Sequence, residues 1–564
     1  MAIDGKSVIQ EYDKLKTARA GRDDTLRVLA PYVDPSRGGG PNTVPTEGQS
    51  WMSEVYDSAG IFAGDLSAHY IQGQSTSPGK KWFRLKDRNE RLNQDDEVKE
   101  WCEETADRLL SRIDRSNFYA NEFQIIKDWY DFGCGGGLVE EQRFDKRLPK
   151  YGYRGLNLSF DMIGRFVGDW NSWGDPIAHG IERMWSASAM VDRFGPDHVS
   201  EKVKKAYDGN TAHSEQFKVI HFISPRKDGE YGNTKKDKMP FKWCWVEWES
   251  KYVNEEGGYE KIPVLRPRQN GLFGEPYGRG RADVAMNDLI TLSTGRRMSF
   301  EDWALKIRPI TMVRSQVLFG QQNLIPGSFL QANWNLGRPL SDAFYQYDGG
   351  GKPEVGQFNI EQLKGSINEA FMVNHLQQLL TLQGTHEQTA YERSQMERQV
   401  LRLIAAIYTS FLNQFLQPFI DLVFDQMYNA GEFSPPPDIM LQEGGTIDVV
   451  FDSPLATTQV SDEIQSMEEF EMKLLNHSAQ EMQATGKPSA VLDLIDWTEW
   501  YRTLANKLKV PAGPVRSGRE VAILEQSRAE EARNATVNQE LAGGAESLGK
   551  AAPFLKVMQG GKAA

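Results

Sequence analysis

Cysteine is scarce in this chain, which has three among its 564 residues: Cys102, Cys134 and Cys244. So few cysteines cannot form the dense disulfide framework of a small secreted domain. The eight histidines are dispersed, and the sequence holds neither an HExxH motif nor paired cysteine ligands. We therefore expect no metal site, and nothing in the sequence calls for a cofactor.

Long apolar runs are missing as well. No stretch comes near the roughly 18–20 uninterrupted apolar residues of a transmembrane helix, and the mean hydropathy is −0.55. The first residues, MAIDGKSVIQEYDK, lack the basic and then apolar order of a signal peptide. We expect a soluble, intracellular protein that does not engage a membrane.

Positive charge is in deficit, with 65 Lys and Arg against 78 Asp and Glu and a net charge of −13. A protein that grips nucleic acid along a basic surface usually carries the opposite balance. Strong nucleic-acid binding over the whole molecule is therefore excluded, although weak local contacts are not.

Catalytic motifs are few. The glycines at 133 and 135–137 suggest a phosphate loop, but neither Lys-Ser nor Lys-Thr follows them, so a Walker A loop is excluded. We interpret the run as a structural turn. Trp243, Trp245 and Trp248 offer a candidate sugar platform, yet their alternation with polar residues fits an ordinary half-buried strand better. A carbohydrate-acting hydrolase is kept as an alternative function.

Hydrophobic periodicity predicts an α+β fold that is mainly helical. A helical pattern runs from Val8 to Leu29 and is expected to end at Pro31, and Phe62, Leu66 and Tyr70 lie four apart on a second helix. Other ranges complete the prediction: two helices over 96–132, an antiparallel β-rich region over 133–278, a helix after 280, β or irregular structure over 307–357, a helix over 358–382, a β or loop connection over 431–455, helices over 456–534 and a mobile tail over 535–564.

The longest helical pattern covers residues 391–430. As one helix it would be roughly 58 Å long at about 1.5 Å per residue. Its apolar stripe is too long for one domain to cover, so it needs neighbouring subunits or a second layer. Pro418 lies inside the pattern and should kink the helix near Gln414, because the proline ring clashes with that carbonyl.

Several motifs follow one another over roughly residues 5–530. They are EYDKLKTARAGRDDTLRVLAPYVDP, SPGKKWFRL, SNFY followed by DFGCGGGLVEE, GEPYGRGRADVAMNDL, QGTHEQTAYERSQM, DSPLA and DWTEWYRTLANKLKVPAG. In this order they resemble those of the portal proteins, or head-to-tail connectors, of short-tailed double-stranded DNA bacteriophages.

The resemblance implies a subunit of a dodecameric ring at one capsid vertex of the virion, assembled in the host cytoplasm, with no enzymatic activity. The ring would be the channel for DNA packaging and ejection. Its partners would be a terminase motor, scaffolding and major capsid proteins, tail adaptor proteins, and double-stranded DNA bound weakly and without sequence preference. The absence of a Walker A loop agrees with a motor that is a separate protein.

The resemblance also implies an architecture of wing, stem, clip and crown. The implied parts are a wing over 1–278, a stem helix over 279–306, a clip over 307–357, a second stem helix over 358–382, a tunnel loop over 383–390, a long wing helix over 391–430 and a crown over 456–534.

The tunnel loop would bring side chains that are mostly uncharged at neutral pH to passing DNA. Its expected contact residues are Gln383, Gly384, Thr385, His386, Glu387 and Gln388. Considered without the resemblance, the same segment reads as a surface turn between helices. Besides the hydrolase, a different virion protein, such as an internal core component or a tail tube protein, remains an alternative for the whole chain.

Overall fold

The computed structural model describes most of the chain. The described ranges are 3–37, 55–89, 91–142, 155–171, 175–227, 231–232, 234, 236–271, 275–307, 310–313, 344–347, 353–376, 402–452, 454–485 and 490–507, with single residues between 521 and 533. The chain divides into two compact units: the first takes 1–84, 105–434 and 449–458, and the second takes 85–104, 435–448 and 459–564.

The first unit begins with two helices where the sequence predicted one. α1 (Gly5–Ala18) starts at Asp4, whose carboxylate accepts the backbone N–H groups of the first turn. Arg19 separates it from α2 (Ala20–Val33). The prediction that Pro31 ends this segment is wrong. A proline lacks its own N–H donor and crowds the carbonyl four residues back, which bends a helix without always ending it. The helix continues for two residues to Val33, which is buried.

A five-stranded antiparallel sheet forms the β-rich part. Its strands are, in spatial order, β4 (Phe166–Trp170), β5 (Pro176–Ser186), β6 (Gln216–Pro225), β7 (Phe241–Glu247) and β8 (Val253–Tyr259). α1 packs on one face, and two short helices, α6 (Ala187–Phe194) and α7 (Glu201–Asp208), cover the other. The strand that holds Trp243 and Trp245 is therefore buried on both faces, and the prediction of a half-buried strand is wrong. The two indoles are 6% and 2% exposed, which leaves no sugar platform there.

A three-stranded antiparallel sheet, β3-β2-β9, lies next in the same unit, and β10 pairs with β11 as an antiparallel two-stranded sheet. The strands of the first unit have the following bounds: β2 Gly137–Gln142, β3 Gly155–Phe160, β4 Phe166–Trp170, β5 Pro176–Ser186, β6 Gln216–Pro225, β7 Phe241–Glu247, β8 Val253–Tyr259, β9 Val264–Leu265, β10 Ile310–Val313 and β11 Phe344–Tyr347.

Long helices make up the rest of the first unit. They are α3 (Ala59–Ser75), α5 (Phe118–Phe132), α8 (Arg281–Ile307), α9 (Pro353–Ala370) and α10 (Arg402–Asn429). α9 begins five residues before the range 358–382 that was predicted as a helix, and the assignment of that range to a stem stays a prediction. Proline favours the first position of a helix, where its missing N–H has no partner to lose, and so the helix starts at Pro353.

The second unit contains short elements and shares longer ones with the first. β1 (Phe83–Asp87) pairs with β12 (Ile447–Phe451). Further α-helices are α4 (Asp96–Asp114), α11 (Asp438–Gln442), α12 (Pro454–Thr485) and α13 (Trp497–Lys507). Asp496 caps α13 by accepting the N–H groups of Thr498 and Glu499. The predicted helices after residue 455 are thus present in the described ranges.

Candidate functional site

The start of α8 is held by a crossing of two glycine-containing segments. At Gly133, the left-handed residue (φ 80°) that ends α5, an added Cβ would overlap the backbone of Arg279 and Gly280. At Gly280 it would overlap the backbone of Asp131 and Gly133. Only glycine allows two backbones to approach so closely. The motifs DFGCGGG and GRGRADV therefore form one packed junction.

Close packing also explains the glycines at positions 135 and 136. A Cβ at Gly135 would meet the carbonyl oxygen of Ile125 at 2.7 Å, and a Cβ at Gly136 would collide with the guanidinium of Arg266. Cys134, which directly precedes these two glycines, is fully buried, and burial raises the pKa of its thiol to about 11. This confirms the prediction that the run is structural, because no phosphate-sized space remains and the thiol is not activated.

A buried acid holds that arginine in place. Asp161 is 0% exposed and lies 3.2 Å from both Arg266 and Arg183 and 3.4 Å from His179. Burial on its own would raise the pKa of Asp161, but hydrogen bonding to His179 and the charges of the two arginines lower it to about 2. The carboxylate is therefore ionised at any working pH and locks the loop between β3 and β4.

Asp283 fixes the first turn of α8. Its Oδ2 accepts the N–H of Gly280 at 2.8 Å, and both carboxylate oxygens accept from Arg22 of α2, at 2.6 and 2.7 Å. Arg22 also donates to the carbonyl of Phe132 at 2.6 Å. A bidentate guanidinium–carboxylate pair fixes both distance and angle, so α2, α5 and α8 are tied together at one end of the crossing.

Asp57 joins the middle of α8 to α9. It lies just before α3 and accepts from Arg296 of α8 at 2.9 Å and from Lys364 of α9 at 3.1 Å. Burial raises the pKa of Asp57, but the Ala59 N–H and the two cations lower it by more, and the net direction is downward. One carboxylate thus holds together the two helices that the sequence assigned to a stem.

The long helix α10 contains a π turn at Leu412–Leu416, where the N–H of Gln417 donates to the carbonyl of Leu412. In a regular α-helix, the side chains of two residues eight positions apart point in directions that differ by about 80° around the helix axis. A π turn contains one extra residue, and this changes the angle between the two side chains to about −20°. Phe411, Phe415 and Phe419 therefore form one buried column, with ring centroids 4.8 and 6.2 Å apart.

The π turn lies directly before Pro418, which cannot donate a backbone hydrogen bond. Within it, the Gln414 side chain accepts the backbone N–H of Arg268 at 2.8 Å, which ties the helix to the segment after β9. The turn occupies the position where the sequence predicted a kink. The role of Pro418 as a kink stays a prediction.

α10 is also long and apolar enough, by length and composition, to cross a membrane, which the search of the sequence for uninterrupted apolar runs did not find. Its phenylalanines pack on α5, where the Phe118 ring lies 4.4 Å from Phe419 and the Trp129 ring 5.0 Å from Phe411. Such contacts are typical of the core helix of a soluble domain.

Glu122 of α5 is a second buried acid, in a very different environment. It is 0% exposed, and both of its carboxyl oxygens lie 2.7 Å from the hydroxyl of Thr76. The single hydroxyl hydrogen of Thr76 is shared between the two oxygens, and Gln72 is the other side chain that donates to this carboxyl group. Burial raises the pKa of Glu122 to about 8, although Thr76 and Gln72 oppose the shift.

We expect stability to fall as pH rises from about 5 to about 8, by at most about 1.4 kcal/mol per pH unit. The folded state keeps the proton of Glu122 over this range, while the unfolded chain releases it. Glu122→Gln should remove this dependence and raise the melting temperature at pH 8, since the amide donates to Thr76 as the protonated acid does. Thermal unfolding of both proteins at several pH values measures this pH dependence of stability. Glu361→Gln, at an exposed position of α9, is the control and should leave the slope as in the wild type. An unchanged slope in Glu122→Gln would contradict the assignment.

The predicted tunnel-loop residues lie outside the described residues. They are Gln383, Gly384, Thr385, His386, Glu387 and Gln388. The two helices nearest to them in the chain, α9 and α10, are described and are held at Lys364 and Gln414. Sequence reasoning did not single out Asp57, Glu122 or Arg266, because each is one charged residue in a helical or loop pattern with no local motif. Arg22 lies inside the motif EYDKLKTARAGRDDTLRVLAPYVDP, but nothing local distinguishes it from the other charged residues there. Asp283, within the GRGRADV motif, had the clearest signal.

In the described part of the chain, no group of three or more His, Cys, Asp or Glu residues is placed to hold a metal ion. What the arrangement does is mechanical. Carboxylates, glycines and a column of phenylalanines fix α8, α9 and α10 against α2, α3 and α5.

Comparison with known proteins decides what this scaffold belongs to. The family model of the bacteriophage head to tail connecting protein matches residues 5–515. The chain belongs to this family. The match covers most of the chain and confirms the family resemblance found in the motifs. Head-to-tail connection is a structural role.

Two named relatives agree with the family. A protein of Bordetella phage BPP-1, named a probable portal protein, is 23% identical over 565 residues, which cover 97% of this chain and 95% of that protein. The portal protein of Salmonella phage epsilon15 is 20% identical over 467 residues, 80% of each chain. The similarity thus extends over nearly the whole chain and includes the long helices as well as the β-rich region.

Proposed function

We propose that this protein is the subunit of a dodecameric portal ring at one vertex of a phage capsid, through which DNA is packaged and later ejected. The observation that carries the proposal is the family match over residues 5–515, together with two relatives named as portal proteins. Rings of identical subunits need two different contact surfaces on each subunit, so that the contact repeats around an axis and closes.

The clamped helices support a role that requires rigidity. α8 and α9 share the Asp57 carboxylate, and the column of phenylalanines in α10 is fully buried. We assign α8 and α9 to the stem, β10 and β11 to the clip between them, the residues before 279 and α10 to the wing, and the helices after residue 455 to the crown. A stem that is held at several points transmits load between the capsid and the tail without local unfolding.

We place residues 383–390 at the narrowest part of the channel. The segment has no large apolar side chain to anchor it in a core, and His386 becomes a phosphate contact when protonated. The ring carries −13 per subunit, so phosphates are bound weakly and the duplex slides. Deletion of 384–388 should leave rings intact and reduce the retention of packaged DNA. Loss of rings would make the segment structural, and full retention of DNA would remove it from the channel mechanism.

The partners that follow from this role are the terminase motor during packaging, scaffolding and major capsid proteins during assembly in the host cytoplasm, and tail adaptor proteins in the virion. Double-stranded DNA passes through without sequence-specific contacts. We assign no catalytic activity to the chain, because the motor supplies the work.

The first test is the mass of the assembled protein. Twelve subunits of 63.8 kDa give about 766 kDa. Native mass spectrometry and negative-stain microscopy of the full chain, with and without scaffolding protein, should show this mass and a central pore. A protein that stays monomeric at high concentration in both conditions would refute the ring.

A further inference from the structure

Helix α3 has the opposite of the usual helix packing. It buries small residues and exposes large ones: Phe62 is 70% exposed and Leu66 is 37% exposed. The buried face is made mostly of small side chains, namely Gly60, Ala63, Gly64, Ser67, Ala68, Ile71 and Ser75. A helix of a monomeric protein normally turns its large apolar side chains to the core. The outer face of α3 therefore has the composition of a contact surface.

The same face borders a recess between α3 and α9. Its volume is about 230 Å³, and its lining includes Phe62, Leu66, Lys364 and Val373. We call it the α3–α9 groove. Beside it lies Gly365, in the interior of α9, where an added Cβ would meet no atom within 4 Å. A glycine inside a helix costs about 1 kcal/mol relative to alanine, and close approach of another backbone is a physical reason to keep one.

A second apolar surface lies on the last turns of α8. Phe300, Trp303 and Ile307 are 49%, 63% and 69% exposed, and their spacing places them within about 60° on one side of the helix. We call these three residues the α8 patch. It projects from a helix surface, whereas the α3–α9 groove is concave, so the two surfaces differ in shape.

Together these surfaces have the area that a protein contact needs. With roughly 150–250 Å² for a large apolar side chain, the exposed fractions of the five residues add up to on the order of 600 Å². A specific interface buries about 1,200–2,000 Å² in total, of which a little more than half is apolar. Joining the patch of one chain to the groove of another therefore supplies most of the apolar area of a small specific interface.

Charges at the edge agree with that pairing. Lys364 lines the groove with 37% of its side chain exposed, and Glu301 flanks the patch with 69% exposed. Within the chain, Lys364 contacts Asp57 and Glu301 contacts Arg297. Both retain accessible polar surface, so opposite charges meet at the rim of a contact and set its orientation.

We propose that the α8 patch of one copy of this chain packs into the α3–α9 groove of the next copy. This inference rests on the ring proposed above and names the surfaces that build it. The contact is heterologous because patch and groove are different surfaces, and each copy offers one of each. Such a contact repeats from copy to copy and closes when the rotation between copies fits the ring.

The test uses Phe62→Glu, which damages only the groove, and Trp303→Glu, which damages only the patch. Each variant alone should lose the assembly of about 766 kDa in native mass spectrometry. An equimolar mixture should give dimers of two chains and nothing larger, because one intact patch meets one intact groove in each pair. Tyr207→Glu, at a 41% exposed position of α7, is the control and should still form rings.

Thermal melting of the monomers separates contact loss from misfolding, and since Phe62 and Trp303 are mostly exposed, both variants should melt as the wild type does. Rings formed by either variant would overturn the assignment of the surfaces and leave the portal ring standing. A mixture that stays monomeric would overturn the pairing of patch with groove. If the wild-type protein forms no ring, the proposed function itself fails.

Discussion

Gly280→Ala should destabilise the first unit by on the order of 3 kcal/mol, a large part of the roughly 5–15 kcal/mol that keeps a typical domain folded. The added methyl group would overlap the carbonyl of Asp131 and the backbone N of Gly133. Both obstacles are backbone atoms, which cannot rotate away as a flexible side chain would. Relief therefore requires separating α5 from the start of α8, which also weakens the Gly280 N–H bond to Asp283.

Urea unfolding of the purified chain measures this effect through the transition midpoint at constant slope. Gly21→Ala is the matched control. Gly21 lies in α2, is exposed, and has no atom within 4 Å of an added Cβ. Alanine should stabilise that helix by up to about 1 kcal/mol. If the two substitutions shift the midpoint alike, the crossing does not depend on close backbone approach.

Deletion of a single residue should have opposite consequences at two places in α10. In a Pro418→Ala background, where the ring clash is gone, deletion of Asn413 should convert the π turn into regular α-helix. The phenylalanine column is kept, because seven α-helical residues at about 100° each give the same angle as eight residues that include a π turn. Asn413 is exposed, so no core side chain is lost. We expect stability equal to or above that of the Pro418→Ala parent.

Deletion of Asp421 from the regular part of the same helix should be severe. All later residues rotate by about 100°, which turns the buried side chains of Val423 and Met427 out of the core. Exposure of two large apolar side chains costs on the order of 4 kcal/mol or more. Helix content by circular dichroism and the urea midpoint compare the two deletions. Equal loss in both would mean that the π turn does not act as a one-residue insertion.

Local signals in the sequence were enough for the mixed fold class and for many helices and strands. The periodicity around Trp101 and Trp129 predicted two helices, and the structure has α4 and α5 there. These features depend on residues close in sequence, whose spacing decides which side of a helix is apolar. The ordered motifs sufficed for the family, since that recognition depends on sequence alone.

The ends of helices and the burial of side chains depended on contacts with residues that are distant in the sequence. Pro31 failed to end α2 because distant residues bury Val33, and Trp243 lies on a strand covered on both faces because α1 packs on the side predicted to meet solvent. Helix α3 shows the opposite case. Phe62 and Leu66 have the spacing of a buried apolar stripe, yet both are exposed. No local pattern encodes which neighbour covers a surface.

The sequence by itself determined the family, the α+β class, the structural reading of the glycine run and the absence of a Walker A loop. Only the tertiary structure decided that the glycines at 133 and 280 cross each other, that Asp57 joins α8 to α9 and that Glu122 keeps its proton. The physical reason is the distance along the chain over which each effect acts. Propensity and periodicity act over a few residues, whereas steric overlap, ion pairing and desolvation act between residues that folding brings together from far apart in the chain.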